Sequence, residues 1–256
     1  MQAKRTTGLS AKQFIDLCDR VKVHLGAWHP QTGRKRALSL NQAIKATVMY
    51  VKNNITQEVI GELLDVDQST ISRTIGQIEV LVTEVLEEFV PEVTGEAVGR
   101  VTIVDGSLCP CWSWTDAPQL YSGKHQTAGH SHQFVVSLDG QLLHISDPLP
   151  GSTHDAKAIK ETGVLDLIDP TNCFGDKGYI GVGLVTPFRK PAKGELLDWQ
   201  KEFNTFINER RWIVEREIAN FKTWRIMHTD YRRPRHTYPT AFRAVRALHF
   251  FKLRFA

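Results

Sequence analysis

The sequence predicts an α/β protein in which a small all-α region precedes a mixed sheet. Two observations support this prediction. Apolar residues recur at helical spacing from Leu38 to about Phe89, and from Arg100 onward the pattern changes to short β-rich runs. The 256 residues, of which 41% are hydrophobic and 23% charged, suffice for one large or two ordinary domains and exclude disordered, collagen-like and membrane proteins as an overall class.

The all-α region is predicted to contain three helices. Thr56 and Asp67 are the expected N-caps of the second and third helices, because both side chains can accept hydrogen bonds from free backbone amides. The linker between these helices is only about two residues, Asp65 and Val66, which is typical of a helix-turn-helix. The positions expected to be buried are Leu40, Ile44, Val48 and Val51, then Val59, Ile60, Leu63 and Leu64, then Ile71, Ile75, Ile78, Val82 and Val85.

The third helix is the candidate recognition helix. The polar positions that it is expected to expose are Gln68, Ser69, Thr70, Arg73, Thr74 and Gln77. Amide, hydroxyl and guanidinium groups can hydrogen-bond base edges and phosphates in the major groove. The scarcity of Lys and Arg in this segment favours the alternative of a bundle used for packing or dimerisation.

The region after Arg100 predicts the element order β-β-β-α-β-α. The first strand, Val101 to Asp105, is expected to end at an Asp-Gly turn, and Asp139-Gly140 is a strong hairpin signal between the next two. The remaining elements are a helix from His154 to Ile168, a strand from Asn172 to Gly175 and a long helix from Trp199 to Met227. In that helix Phe203, Phe206, Ile207, Val214, Ile218 and Phe221 form the expected buried stripe.

Three carboxylates stand out by their positions in these elements. Asp105 and Asp176 are expected at strand ends, where a side chain can project into a cleft, and Glu215 lies in the long helix. Together they could hold two divalent cations, since Mg²⁺ prefers carboxylate oxygens. Taken singly, the aspartates could be turn formers and Glu215 part of a solvated ion-pair face. Asp155 is an alternative to Asp176, and Glu217 is an alternative to Glu215.

The charge is distributed unevenly along the chain. Residues 1–36 and 183–256 are basic, whereas residues 37–182 are acidic, and the total is +4. The segment from Arg225 to Arg254 has eight Lys or Arg and one acidic residue. Arg232 and Arg233 are therefore candidate contacts to backbone phosphates, although an apolar stripe of Phe242, Val245, Leu248 and Phe251 also fits a solvated amphipathic helix.

Five ordered motifs resemble those of the DDE transposases, in the branch shared by bacterial insertion sequences and Harbinger-like elements. The motifs are Val104-Asp105-Gly106-Ser107, Tyr121-Ser122-Gly123-Lys124-His125, Pro150-Gly151-Ser152-Thr153-His154-Asp155, Gly175-Asp176-Lys177-Gly178-Tyr179 and Val214-Glu215-Arg216. The resemblance implies an RNase H-like mixed sheet and a catalytic triad of Asp105, Asp176 and Glu215 that binds two Mg²⁺ or Mn²⁺ ions. It implies a metal-dependent transposase that cuts double-stranded DNA at inverted-repeat ends and joins the 3′-hydroxyl to target DNA.

This resemblance completes the predicted organisation. Residues 1–37 are a basic segment, 38–92 the helix-turn-helix domain, and 98–256 the catalytic domain with basic C-terminal helices. The expected DNA contacts are Gln68, Ser69, Thr70, Arg73, Arg216, Lys222, Arg225, Arg232 and Arg233. A homodimer or higher oligomer on DNA is expected because two ends must be joined. Four cysteines without a disulfide pattern and no apolar run behind Met1 to Ser10 indicate a cytoplasmic protein without a membrane partner. The resemblance implies that it acts at the bacterial nucleoid.

Four alternatives remain at this point. A DNA-binding protein descended from such an enzyme would bind without cutting, and a related nuclease would act on RNA. Cys109-Pro-Cys111 could bind a metal, but no second Cys pair lies at the spacing of a zinc site. His130 and His132, with His125 and His154 nearby, could belong to a metallohydrolase. Trp112 and Trp114 are interpreted as core or lid residues in preference to base-stacking platforms.

Overall fold

A computed structural model describes residues 3–91 and 99–255. The helices, labelled in chain order, are α1 (Ala3–Thr7), α2 (Ala11–Leu25), α3 (Leu40–Asn53), α4 (Gln57–Leu64), α5 (Gln68–Leu86), α6 (Asp155–Glu161), α7 (Asp198–Lys222) and α8 (Tyr238–Arg254). The strands are β1 (Thr102–Pro110), β2 (Tyr121–Ser122), β3 (Thr127–Ser137), β4 (Leu142–Ile145), β5 (Leu149–Pro150) and β6 (Cys173–Phe174). In the described residues, no helix is long and apolar enough to cross a membrane.

The chain divides into two compact units. One comprises residues 1–90 with 222–256, and the other comprises residues 91–221. This division differs from the predicted domain limits, because the basic C-terminal helices group with the N-terminal helices and not with the sheet. The physical reason is the apolar face of α8, which packs against α5. The predicted limits at residues 92 and 98 lie outside the described residues.

The helical unit contains the predicted helix-turn-helix. Thr56 caps α4 by accepting from the Val59 amide at 3.4 Å. Asp67 occupies the N-cap position of α5, but its side chain makes no capping hydrogen bond. Val59 and Leu63 were predicted to be buried, but both are exposed. The reason is that α4 is short and buries only Ile60 and Gly61 fully.

The basic N-terminal segment contributes a helix that the sequence analysis did not predict. Ser10 and Gln13 form a capping box at the start of α2, in which each residue satisfies a free backbone amide of the other. Leu17 and Val21 are fully buried along this helix, which packs against α3 and α5. Helix α2 therefore belongs to the core of the helical unit.

The second unit is α/β with a mixed sheet. The strand order is β2-β3-β1-β6, and β4 and β5 also pair with β3. The Asp139-Gly140 hairpin prediction is confirmed, because β3 and β4 pair antiparallel and Gly140 has a φ of 90°. The predicted strand end at Asp105 is wrong. The pairing continues from Asp105 opposite Phe134 to Pro110 opposite Gly129, so Asp105 lies inside β1.

Helices cover both faces of this sheet. Val104 and Val135 pack with Ile159 of α6 in one buried cluster. On the other face Phe134 lies edge-on to Phe221 of α7, with ring centroids 5.5 Å apart. Because side chains alternate along a strand, Val104 and Asp105 face different helices. The predicted buried stripe of α7 is wrong at Phe206, which is exposed, although its ring still contacts Phe174 at 5.9 Å.

Candidate active site and nucleic-acid surface

The register of two parallel strands brings Asp105 and Asp176 together. Ile103 of β1 is paired with Phe174 of β6, and each aspartate follows two residues later. Asp105 is paired with Phe134 on the face of the sheet that α7 covers, and the charge of Asp176 acts on both Asp105 and Arg211. Asp176 adjoins β6 as the N-cap of a single helical turn, where its carboxylate accepts from the Gly178 amide at 2.7 Å.

Arg211 connects the third candidate acid to this pair. Its Nη2 lies 2.9 Å from Asp105 Oδ2 and 3.7 Å from Glu215 Oε1. Arg211 and Glu215 are four residues apart on α7, which puts them on neighbouring turns of one helix face. The guanidinium therefore lies between the carboxylates of Asp105 and Glu215.

Burial and like charge set the electrostatics of Asp105. Burial raises the pKa of the Asp105 carboxyl, the guanidinium of Arg211 opposes this shift, and the charge of Asp176 adds to it. Burial lowers the pKa of Arg211, but Asp105, Asp176 and Glu215 outweigh that effect and the pKa rises. The cluster is thus negative beyond what one guanidinium neutralises, and such a cluster attracts a further cation.

Glu215 and Glu217 have different environments. The Glu215 side chain is 58% exposed, whereas that of Glu217 is 7% exposed. The buried Glu217 carboxylate accepts from Arg216 Nε at 3.0 Å and from Asn220 Nδ2 at 3.3 Å. The named partners of Glu217 are thus residues of its own helix. Glu215 is the acid that Arg211 links to Asp105.

Asp155 approaches the site from the start of α6. Its carboxylate lies 2.7 Å from the point that a Cβ would occupy at Gly106, and again 2.7 Å from that point at Gly178. Asp176 Oδ1 lies 2.8 Å from the same Gly178 point. The two glycines therefore leave space that the carboxylates use. Lys124 Nζ binds Asp155 Oδ2 at 3.0 Å.

The charges of all three aspartates act on Lys124. Burial lowers the pKa of Lys124, but its hydrogen bond to Asp155 and the charges of Asp155, Asp176 and Asp105 outweigh that effect and raise it. The lysine is therefore held in its charged form beside the acidic cluster.

The donor set fits divalent cations in chemistry and charge. Asp105, Asp176 and Glu215 offer carboxylate oxygens, which Mg²⁺ prefers, and Arg211 already places positive charge between two of them. In residues 3–91 and 99–255, no three His, Cys, Asp or Glu side chains are grouped closely enough to form a metal site in this conformation.

A groove in the helical unit brings together four of the predicted DNA contacts. Its volume is about 590 Å³, and its lining includes Gln68, Arg73, Arg232 and Arg233. The sequence segments that carry them are more than 150 residues apart, so only folding juxtaposes them. Gln68 and Arg73 are exposed at the start of α5, as predicted, but the prediction that Thr74 is exposed is wrong because it faces the buried side of the helix.

The two arginines of this groove differ. Arg232 is exposed, and its guanidinium donates to the carbonyl of Asn54. Arg233 is largely buried and paired with Glu79 Oε1 at 2.6 Å. Burial raises the pKa of Glu79, and Arg233 opposes the shift. The Arg233 guanidinium is therefore engaged inside the protein, which leaves it less available to a phosphate than Arg232.

The remaining predicted DNA contacts are distributed over both units. In the helical unit, Ser69 and Arg225 are exposed, and Thr70 and Lys222 are half-buried. In the sheet unit, Arg216 is exposed, binds Glu217 and lies 5.0 Å from the centre of the Trp212 ring.

Several contributing residues were missed from the sequence. Arg211 lies four residues before Glu215, and this helical spacing was the available signal that the two side chains could pair. Glu79 was unremarkable among apolar neighbours, and nothing local connects it with Arg233. Trp112 was interpreted as a core or lid residue, and the core alternative is wrong because 71% of it is exposed. Cys109 and Cys111 are buried free thiols.

Comparison with known proteins gives a consistent result. A family model described as DDE superfamily endonuclease matches residues 104–249, and one described as helix-turn-helix of DDE superfamily endonuclease matches residues 36–88. The chain is 31% identical over 224 residues to a putative transposase for insertion sequence element IS112 from Streptomyces albus G, covering 86% of this chain and 83% of that protein. It is 23% identical over 239 residues to a probable transposase for insertion sequence element IS702 from Microchaete diplosiphon, covering 90% and 86%.

Proposed function

Because this chain belongs to the DDE superfamily of insertion-sequence transposases with an N-terminal helix-turn-helix, we propose that it cuts and joins DNA at one site. It binds the inverted-repeat ends of its element, cleaves a strand and joins the freed 3′-hydroxyl to target DNA. The observation that supports the proposal is the pairing of Ile103 in β1 with Phe174 in β6, two residues before Asp105 and Asp176. Arg211, which contacts both Asp105 and Glu215, supports the inclusion of Glu215.

The acids that would hold the metal are Asp105, Asp176 and Glu215. Two Mg²⁺ or Mn²⁺ ions bound there would supply charge stabilisation for both the attacking and leaving oxygens of an in-line displacement. Arg211 neutralises Asp105 in their absence. Lys124, held by Asp155, adds a positive charge that can bind a phosphate oxygen of the strand to be cut.

The helical unit would hold the duplex. The side chains that would bind in the major groove of the DNA are Gln68, Ser69, Thr70 and Arg73. Arg232 would contact a backbone phosphate from the protein groove that residues of α5 also line. We extend the same proposal to an RNase H-like arrangement of the sheet, to a dimer or larger oligomer on two DNA ends, and to action at the nucleoid.

Cleavage of labelled DNA that carries the element ends tests the proposal. The wild-type chain with Mg²⁺ should nick at the ends and, with target DNA added, produce joined strands. Asp176→Asn and Glu215→Gln should lower the rate by at least about a hundredfold while they leave duplex binding unchanged. Full activity in both variants would show that the metal-site assignment is wrong.

A second function, DNA binding without cleavage, is favoured by one observation. Arg211 lies between Asp105 and Glu215, at 2.9 Å and 3.7 Å, and its guanidinium contacts both of these proposed metal ligands. A protein of this kind would bind the end sequence equally well in Mg²⁺ and in EDTA, and it would not cut DNA in the presence of any divalent metal. Metal-dependent cleavage of the same substrate would exclude it.

A further inference from the structure

The loop between α2 and α3 carries positive charge that the proposed function does not use. The loop spans residues 26–39, and its sequence contains His29, Arg34, Lys35 and Arg36 but no acidic residue. Every residue from 29 to 37 is exposed to solvent. The loop is therefore a basic surface of the helical unit, and its position determines which partner it can reach.

Two contacts with α5 show where this loop lies. His24 Nε2, near the end of α2, lies 3.0 Å from Glu84 Oε2 of α5. Further along the chain, the Arg36 guanidinium donates a hydrogen bond to the side-chain oxygen of Gln77. Gln77 precedes Glu84 by seven residues, so the second contact is about 10 Å nearer the start of α5 at 1.5 Å per residue. The loop thus extends toward the end of α5 that is proposed to bind DNA.

Gln77 lies on the same exposed face of α5 as Ser69 and Arg73. These three residues are four positions apart, and that spacing puts neighbours on one helix face. Ser69 and Arg73 are exposed, and both are proposed to bind in the major groove. Glu84 follows Gln77 by about two turns on this face, so α2 and the loop cover its second half. Arg36 therefore lies at the border between the covered half and the half that is open to solvent.

Arg36 is held in this position by the loop itself. Its guanidinium lies 4.2 Å from the centre of the Trp28 ring, and its Nε donates to the Trp28 carbonyl oxygen at 2.8 Å. Trp28 Nε1 donates in turn to the carbonyl oxygen of Leu38 at 2.7 Å, and Leu38 is buried. A surface that is ordered before binding loses less conformational entropy when its ligand binds than a flexible segment does.

The charge of the loop compensates for the acidic character of the neighbouring helix-turn-helix. From Gln57 to Gln77 the sequence contains four acidic residues, and Arg73 is its one basic residue. An amide has no net charge, so the bond to Gln77 does not neutralise Arg36. The three consecutive basic residues 34–36 therefore place positive charge beside a recognition helix that has little of its own, as binding to a polyanion requires.

We propose that Arg34, Lys35 and Arg36 bind backbone phosphates of the DNA duplex beside the recognition helix. The helix would contact base edges within the major groove, and the loop would hold the sugar-phosphate backbone at the edge of that groove. Phosphate contacts of this kind set the affinity and its salt dependence but carry no sequence information. This inference deepens the proposed function and rests on it, since duplex DNA is the ligand in both.

Salt titration of duplex binding by the full chain tests this inference. Fluorescence anisotropy would measure Kd at several NaCl concentrations for a labelled duplex that carries the element end and for an unrelated duplex of equal length. Arg34→Gln/Lys35→Gln removes two charges and keeps the contacts of Arg36. The magnitude of the slope of log Kd against log salt should fall by about two, at about 0.9 for each phosphate contact. Binding to both duplexes should weaken by the same factor.

The control removes one lysine and one arginine from the opposite end of the helical unit. Lys12 and Arg254 are exposed. Lys12 lies at the start of α2, about 20 Å from the loop at 1.5 Å per residue, and the adjacent Gln13 Nε2 donates to the carbonyl oxygen of Lys252 at 3.2 Å. Lys12→Gln/Arg254→Gln changes the net charge equally and should keep the wild-type slope. Circular dichroism melting would show that both double variants are folded.

An unchanged salt slope in Arg34→Gln/Lys35→Gln, or an equal fall in the control, would overturn the phosphate contacts. A loss confined to the element-end duplex would also overturn them, because it would indicate base recognition. A chain that cuts element ends while the loop variant keeps the wild-type slope would retain the transposase function without the loop surface. A chain that cuts no DNA but loses slope in the loop variant would retain the loop surface and refute the transposase chemistry. A chain without measurable duplex affinity would overturn both.

Discussion

Arg211 on α7 donates a hydrogen bond of 2.9 Å to Asp105 inside β1. The same guanidinium nitrogen lies 3.7 Å from Glu215, so one cation is shared by two of the three proposed metal ligands. A buried carboxylate without a partner is costly, and here an arginine of the neighbouring helix satisfies it. Any metal that binds Asp105 and Glu215 would compete with this arginine.

We expect Arg211→Gln to increase the stabilisation that Mg²⁺ provides. Without the guanidinium, the metal-free protein holds an uncompensated buried carboxylate and loses about 1–3 kcal/mol of unfolding free energy. Differential scanning fluorimetry with and without Mg²⁺ would measure the shift in Tm, with Arg210→Gln as the adjacent control. A smaller Mg²⁺-dependent shift in Arg211→Gln than in the wild type would contradict the competition.

Substitution of Glu215 should affect DNA cleavage, whereas substitution of Glu217 should affect the stability of the protein. Glu215→Gln changes an exposed side chain, so its Tm should stay within a few degrees of the wild type while DNA cleavage is lost. Glu217→Ala removes the buried partner of Arg216 and Asn220 and should cost about 1–3 kcal/mol. Urea unfolding would measure the stability of both variants, and the cleavage assay would measure their activity. If Glu217→Ala were as stable as the wild type but inactive, Glu217 and not Glu215 would be assigned as the metal ligand.

The ion pair between Glu79 and Arg233 should be essential to the helical unit. Arg233→Met leaves the Glu79 carboxylate buried without its cation, and breaking such a pair costs about 3–5 kcal/mol. Because burial raises the pKa of Glu79, its protonated form is favoured in the folded state, so this variant should recover stability as pH falls and lose it as pH rises. Urea titrations at pH 5 and pH 8 would detect the difference.

The double variant Glu79→Gln/Arg233→Met is the control for that experiment. It has no buried carboxylate, so it should be more stable than Arg233→Met at pH 8 and should lose the pH dependence. Equal stability of the single and double variants at pH 8 would mean that the carboxylate is not the source of the loss.

His249 should make the helical unit sensitive to acid. Burial, with the charges of Lys252 and Lys52, lowers the pKa of His249 to about 3 from an ordinary value near 6.5, and Trp224 Nε1 donates to its Nδ1 at 3.3 Å. The neutral ring is therefore the folded form. Its stabilising effect is present above about pH 6.5 and is lost as the pH falls toward 3, by at most about 1.4 kcal/mol per pH unit.

His249→Gln keeps a polar side chain that does not titrate. Its Tm should fall less steeply than that of the wild type between pH 6.5 and 4, as measured by thermal melts in matched buffers. Parallel curves for the two proteins would assign the acid sensitivity to other groups.

Most elements could be predicted because their signals are local. The stripe from Ile71 to Val82 needs no distant partner to be recognised, and the Asp139-Gly140 turn fixes its hairpin by its own backbone preferences. The end of β1 could not be predicted in this way. Asp-Gly is a turn signal by itself, but at Asp105-Gly106 the pairing with Phe134 and Gln133 of β3 holds the chain extended.

The sequence by itself determined the helix-turn-helix and the α/β class, because periodicity and caps are local properties of neighbouring residues. Its motifs led to the prediction of the three acids. The tertiary structure decided which residues neutralise those acids and which basic residues share a surface. Arg211 meets Asp105 across 106 positions, and Arg233 meets Glu79 across 154. Such pairs depend on strand register and helix packing, which bring distant charges together only after the core has formed.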